Sequence, residues 1–521
     1  MPVPEPTVTF EMVRVAASFL LAFAVAAAVI PSLIRLSVRR NWLDIPIEAR
    51  RIHTIPVPRL GGVAVAFAAA TSVVVSLVLL GADPVMAFRD QQVLAPLFLA
   101  LSIVFATGLV DDLTELSARL KFTAQLIGAC IIVAADFRIE SIALAADMPA
   151  LHLGILSIPV TVLWIVGVTN AINLIDGIDG LAGTFAVLAL TLTIAIETFT
   201  HGFHPPLMSV AFIGALLGFL RFNIAPASIF LGDAGAMTIG FFLAVQIIDA
   251  STVDGGPTFA IIPLLILIFP LLDTALAMGR RWLRGDPIST ADGRHIHHQL
   301  LSIGLTPQQT IRLIGGATLG LGLVGVVVVF APPQLAFALF VSSSVLLCVG
   351  CLYAVRWLGY DEFLVLSASM VAGVREARMS IRDRILANEA AGRIRDAESF
   401  DQVMTALHQL TEQVGFLDVQ VLDGDVHSNG PERQRISPLQ RLPVRFDFPC
   451  AREADGKVEE LILRLWGLRS SAGVTKSIEH IATRIGPALE HWIRTHHDIA
   501  LPSSGNVPAM PETSRIDVER N

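Results

Sequence analysis

Apolar stretches of membrane-crossing length recur from residue 13 to residue 357. They lie near 13–34, 61–81, 92–110, 122–136, 155–170, 181–200, 205–220, 234–250, 258–280, 309–331 and 335–357. A hydrocarbon core about 30 Å thick takes roughly 20 apolar residues as a helix. In lipid only helices or closed barrels satisfy their own backbone. The whole composition agrees: of 521 residues 54% are hydrophobic and 16% charged, with mean hydropathy +0.66. That is too apolar for a soluble globule. The expectation is an all-α polytopic membrane protein with about 11 transmembrane helices over residues 1–360. The first stretch runs into Arg35, Arg39 and Arg40 rather than a small-residue cleavage site, so it reads as a retained helix.

Basic residues set the orientation. With the N-terminus outside, the inner loops hold Arg35, Arg39, Arg40, Arg50, Arg51, Arg59, Arg119, Lys121, Arg221, Arg280, Arg281, Arg284 and Arg294, and the outer loops only Arg89 and Arg138. Positive charge stays inside, which fixes this topology. Hydropathy collapses after Tyr360. A charged helical pattern covers about 374–395, and Ser399 with Gln402 reads as a capping box opening a second helix. Alternating stretches from 416, 441 and 458 read as strands, and a last helix covers about 473–494. Residues 374–498 are thus expected to form a small cytoplasmic α+β domain, with 499–521 a polar, disordered tail. No motif in that domain carries chemistry. Cys348 and Cys351 lie within an apolar span and read as packing residues rather than a redox pair.

Carboxylates recur where apolar stretches begin or end, and by this topology they share one face of the bilayer. Such charges are costly at a membrane border unless hydrated, paired or metal-bound. Asp111 and Asp112 close the third stretch and Lys121 opens the next. Adjacent carboxylates suit a hard cation or a proton acceptor, and Lys121 suits a phosphate. An ordinary polar loop is the plain alternative there. In NAINLIDGIDGLAG, Asn170, Asn173, Asp176 and Asp179 recur every three residues, which helical geometry would set along one face. Asp233 opens a later stretch, as a helix cap or a metal ligand. His295, His297 and His298 follow Arg294 on an inner loop. They read as anion-binding, with zinc less favoured because the surrounding donors are oxygen. Finally, RRIHTIPVPRLGG presents His53 and Arg59 on a proline-stiffened loop, either to substrate or to anionic lipid.

Together these motifs, in this order from residue 44 to residue 301, resemble the polyprenyl-phosphate N-acetylhexosamine-1-phosphate transferases. The resemblance implies transfer of a sugar-1-phosphate from a UDP-sugar to a polyprenyl (undecaprenyl) phosphate in the membrane, releasing UMP. It implies Mg²⁺, with Mn²⁺ as a substitute, held by Asp233 and Asn173. Asp111 and Asp112 match the acidic pair, one member of which deprotonates the lipid phosphate, and Lys121 matches a diphosphate contact. Asp176, Asp179 and the loop of His295, His297 and His298 match positions lining the nucleotide-sugar site; Gly293 and Arg294 depart from the basic residue that many relatives carry directly after the aspartate, and Arg294, His53 and Arg59 are expected on the substrate side. The His-Ile-His-His loop is closer to the GlcNAc branch than to the muramoyl-pentapeptide branch, so UDP-GlcNAc is the expected donor. A plasma-membrane enzyme with a cytoplasmic site, compatible with a homodimer and without a nucleic-acid partner, is implied. An ion-coupled transporter is the reading from another class; it predicts acidic residues near mid-span rather than at span ends.

Overall fold

In a computed structural model, the residues described are 8–44, 56–79, 91–143, 150–201, 206–252, 258–259, 261–284, 294–357, 374–414, 418–423, 443–454, 457–468, 484–485, 487–489, 491–492 and 495. The chain divides into two units, one of residues 1–279 and 288–359, the other of 280–287 and 360–521.

The first unit is helical. Its elements are α1 (Val8–Arg40), α2 (Gly61–Val78), α3 (Gln91–Thr114), α4 (Ala118–Ala134), α5 (Ser157–Ile175), α6 (Leu181–His201), α7 (Leu207–Asn223), α8 (Gly232–Ser251), α9 (Ile261–Arg284, which runs past the unit's boundary), a short α10 (Ile296–Ser302), α11 (Pro307–Phe330) and α12 (Pro333–Trp357). Three short strands, β1 (Ser141–Ala143), β2 (Leu151–His152) and β3 (Thr258–Phe259), pair with β1 central, antiparallel to β2 and parallel to β3. Among the described residues eight helices are long and apolar enough to cross a membrane, and the protein is a multi-pass membrane protein. A helix also occupies each of the other three expected stretches. Of these, α4 and α7 have 17 residues each, at the lower end of what a crossing takes.

Helix α8 is the axis of this unit: its crossing segment is 100% buried, packed among α2, α3, α5 and α6. Small residues permit that. A Cβ on Gly62 would stand 2.2 Å from the Gly235 nitrogen, and one on Gly108 2.6 Å from the Ala234 Cα. Without a hydrophobic drive between helices in lipid, such close backbone approach supplies the packing.

The second unit has α13 (Val374–Arg395), α14 (Phe400–Val414) and the strands β4 (Asp418–Asp423), β5 (Pro443–Ala454) and β6 (Lys457–Leu468). β6 is central and antiparallel to both neighbours. Ala387, Ile394, Leu407, Leu410 and Trp492 form its helical core, with Trp492 Nε1 donating to the Ala397 carbonyl at 2.6 Å. Ser399 Oγ accepts from the Gln402 amide at 3.4 Å, while the Gln402 side chain accepts from Glu398 rather than Ser399, so the expected box closes one residue early. The expected tail, 499–521, lies outside the described residues.

Candidate active site

The start of α8 is built by a neighbouring helix. Gly232 has φ +73° and precedes Asp233 in the first turn. The amides of Asp233 and Ala234 donate to the two oxygens of Asp112, at 2.8 and 3.0 Å. Asp112, in the last turn of α3, therefore caps α8 from outside, satisfying two of the amides that a helix start leaves open. Its neighbour Asp111 accepts from the Leu116 amide at 2.6 Å and from Lys121 at 3.0 Å. Lys121, in the first turn of α4, also donates to Asp233 at 2.7 Å. One ammonium thus ties the end of α3 to the start of α8.

The loop before α2 is laced to the segment before α8. Phe230 N donates to the Pro58 carbonyl (2.7 Å), Gly61 N to Phe230 O (2.9 Å) and Gly62 N to Leu231 O (2.7 Å). Arg59 forms an ion pair with Asp44 at 2.8 Å, beside the bridge between Asp44 and Val57. No motif in the sequence marks Asp44. His53 lies outside the described residues.

The Asn–Asp repeat does not run along one helical face. α5 stops at Ile175, Asp176 is its C-cap, and Asp179 lies in the turn beyond, with Gly180 at φ +80°. Glycines at 177 and 180 break the helical period there. Asn170 donates to Gln125 of α4 at 2.5 Å, so it joins two helices; Asn173 is half-buried one turn before the cap. Asp179 accepts from the Ala227 amide (2.9 Å), and Asn223 takes the Gly180 amide (2.9 Å) while donating to Ile229 O (2.9 Å). Asn223, unremarked in the sequence, pins this turn to the segment leading into α8.

The histidines divide. His297 is fully buried; its Nε2 is 2.5 Å from where a Gly177 Cβ would stand. Burial, then the neighbouring His298, holds the His297 imidazole down at about 3, so it is neutral at physiological pH. His295 Nδ1 lies 2.9 Å from Asp273, and Arg294 is half-buried at the approach to α10. His298 reaches the cavity.

That cavity, about 850 Å³, is lined by Asp44, Arg59, Asp112, Asp176, Asp179, Asp233 and His298, among others. Asn173, Lys121, Arg294, His295 and His297 stand outside its lining, Lys121 touching it through Asp233. The volume suits a nucleotide-sized ligand. Burial, then the carboxylates of Asp233, Asp112 and Asp179, pushes the Asp176 carboxyl well above the usual range. So much negative charge in one volume favours a cation. Among the described residues no group of three or more His, Cys, Asp or Glu closes round a point as a self-sufficient metal site would. The donors are oxygens without a thiolate, which fits a hard ion that keeps its waters and shares a ligand's phosphates.

Residues 94–251 match the family model described as glycosyl transferase family 4. The chain is 33% identical over 305 residues to a "probable undecaprenyl-phosphate N-acetylglucosaminyl 1-phosphate transferase" of Bacillus subtilis, covering 58% of this chain and 82% of that protein. A decaprenyl-phosphate N-acetylglucosaminephosphotransferase of Mycolicibacterium smegmatis is 31% identical over 54% of this chain and 73% of its own length. A phospho-N-acetylmuramoyl-pentapeptide-transferase of Streptococcus equi is 33% identical over 43% of this chain and 70% of its own length. This chain belongs to glycosyl transferase family 4, among the polyprenyl-phosphate hexosamine-1-phosphate transferases.

Proposed function

We propose that the protein transfers N-acetylhexosamine-1-phosphate, GlcNAc-1-phosphate foremost, from a UDP-sugar to a polyprenyl phosphate. An oxygen of the lipid phosphate forms a bond to the sugar-bearing phosphorus of the donor. The bond from that phosphorus to the bridging oxygen breaks, leaving polyprenyl diphosphate-sugar and UMP. The observation that carries this reading is the gathering of Asp112, Asp176, Asp179, Asp233 and Arg59 in one cavity beside Lys121. Asp112 lines the cavity while Asp111 turns to Lys121, which supports Asp112 as the member that takes a proton from the lipid phosphate in this reading. Lys121, one contact behind the cavity wall through Asp233, exchanges a carboxylate for a phosphate oxygen of the donor. Arg59 and His298 add donors for anionic oxygens, with Arg294 nearby in sequence.

Asp233 and the cavity carboxylates would hold Mg²⁺ or Mn²⁺, while Asn173, the second ligand the resemblance implies, stands half-buried outside the lining. When bound, that ion neutralises the diphosphate and favours departure of UMP. All eleven apolar helices cross the bilayer in this reading, with the N-terminus outside and the site in the cytoplasm at the inner leaflet. There a lipid head and a soluble nucleotide can meet. The names of the Bacillus and Mycolicibacterium relatives support GlcNAc. The Streptococcus relative keeps UDP-MurNAc-pentapeptide as a second donor to test. Purified protein incubated with radiolabelled UDP-GlcNAc and undecaprenyl phosphate should form an EDTA-sensitive labelled lipid. Competition by unlabelled UDP-MurNAc-pentapeptide stronger than by UDP-GlcNAc would reverse the donor assignment, and no labelled lipid with either donor would end the reading.

A further inference from the structure

Asp273 is an acidic residue inside the apolar helix α9, and its side chain is 0% exposed. A carboxylate so placed is costly unless it is given dedicated partners. Among the described residues, both of its hydrogen-bond partners belong to the histidine turn. Oδ2 lies 2.9 Å from His295 Nδ1, and Oδ1 accepts from the Ile296 amide at 2.7 Å. His297 Nδ1 stands 3.9 Å from the same Oδ2. α10 receives no cap from its own His295 side chain, so the cap comes from α9, as Asp112 caps α8 from α3. Beyond this anchor the turn reaches the cavity in two short steps. His297 fills the space that a side chain at Gly177 would take, and His298, its ring centroid 4.3 Å from that of His297, lines the cavity.

We propose that Asp273 is a positioning residue for the nucleotide-sugar side of the cavity. It holds His295 and the first amide of α10, docks the turn on Gly177, and so sets His298 in the cavity wall. A carboxylate bonded to one imidazole nitrogen fixes both the ring's plane and its tautomer. The proposal rests on the transfer reaction proposed above.

The test uses the full chain in phospholipid nanodiscs, with UDP-GlcNAc and undecaprenyl phosphate varied separately. Asp273→Asn should raise KM for UDP-GlcNAc about tenfold or more, the scale of a lost charge-assisted hydrogen bond, and leave KM for undecaprenyl phosphate within about twofold. His295→Phe should behave alike, and combining the two should be no worse than either alone. His295→Asn, whose amide nitrogen can stand where Nδ1 stands, should recover most of the affinity. A purely structural role would raise both KM values together, add in the double variant and show no rescue, and any of these overturns the proposal. So does an unchanged KM for UDP-GlcNAc in folded Asp273→Asn. Where Asp273→Asn does not fold, the comparison of His295→Phe with His295→Asn decides alone. A wild-type protein that makes no product sinks the reaction itself; an active wild type with an indifferent Asp273→Asn sinks only the positioning role.

Discussion

Lys121 sits between two carboxylates that come from different helices, Asp111 at 3.0 Å and Asp233 at 2.7 Å. In the proposed reaction its charge is lent to the carboxylates before substrate and to the diphosphate afterwards. Lys121→Ala should therefore raise KM for the UDP-sugar by roughly 10–100-fold, the scale of a charge-assisted hydrogen bond. Steady-state kinetics check it, and unchanged constants would remove Lys121 from the donor site. Asp233→Asn keeps the shape but not the charge. Transfer should fall by about 10²-fold or more with the thermal midpoint little changed, because the loss lies in electrostatic stabilisation. Near-normal turnover would take Asp233 out of the proposed metal role. His297 gives a test that does not depend on activity. Its folded value of about 3 lies below the ordinary 6.5. Below pH 6.5 the unfolded chain takes a proton that the folded protein refuses, so stability falls with pH from 6.5 down towards 3. At pH 5 the cost is about 2 kcal/mol. Thermal melts at pH 7.5 and 5 should show a drop in wild type that His297→Leu lacks; equal drops would mean that the ring is protonated in the folded state.

Among the elements, the start of α8 carries the sharpest backbone demand. Gly232 has φ +73°, and a Cβ there would stand 2.2 Å from the Arg59 carbonyl and 2.6 Å from Asp112 Oδ2. Gly304, at φ +96°, has nothing within 4 Å of its Cβ position. Gly304→Ala should thus cost only the backbone strain, about 1–2 kcal/mol. Gly232→Ala should cost more and displace Asp112, so its activity should collapse while that of Gly304→Ala survives; equal behaviour would show that α8 tolerates a shifted start. How far the sequence revealed these elements follows from the same physics. Apolar stretches and the carboxylates ending them are legible because lipid penalises charge, which is how Asp111, Asp112, Asp176 and Asp233 stood out. The stop of α5 at Ile175 was missed, since a three-residue repeat reads as helix until Gly177 and Gly180 are weighed against it. Asp112 as a cap was out of reach, its partners lying 121 and 122 residues away. Asp273 carries a different signal: it lies within the stretch 258–280 rather than at an end, and only the fold shows its partners on the histidine turn.

At the scale of the whole chain, the question is what the second unit adds. Every described residue proposed for the site belongs to the first unit, whose core runs from Ala22 to Val328. The second unit has a core of its own, from Ala387 to Trp492. Relatives bearing transferase names match only 58% and 54% of this chain, and the family model ends at residue 251. A unit that has its own core and holds every described residue proposed for the site does not need a separately cored appendage for bond chemistry. Removing residues 374–521 should therefore leave kcat and both KM values within about threefold, the range of small indirect effects on a site. The measurement is transfer from UDP-GlcNAc to undecaprenyl phosphate by the truncated protein, with size-exclusion and thermal melting as checks of folding. A truncation that is folded yet inert would assign the second unit a catalytic or gating part, and the search for substrate contacts would then move to α13 and α14.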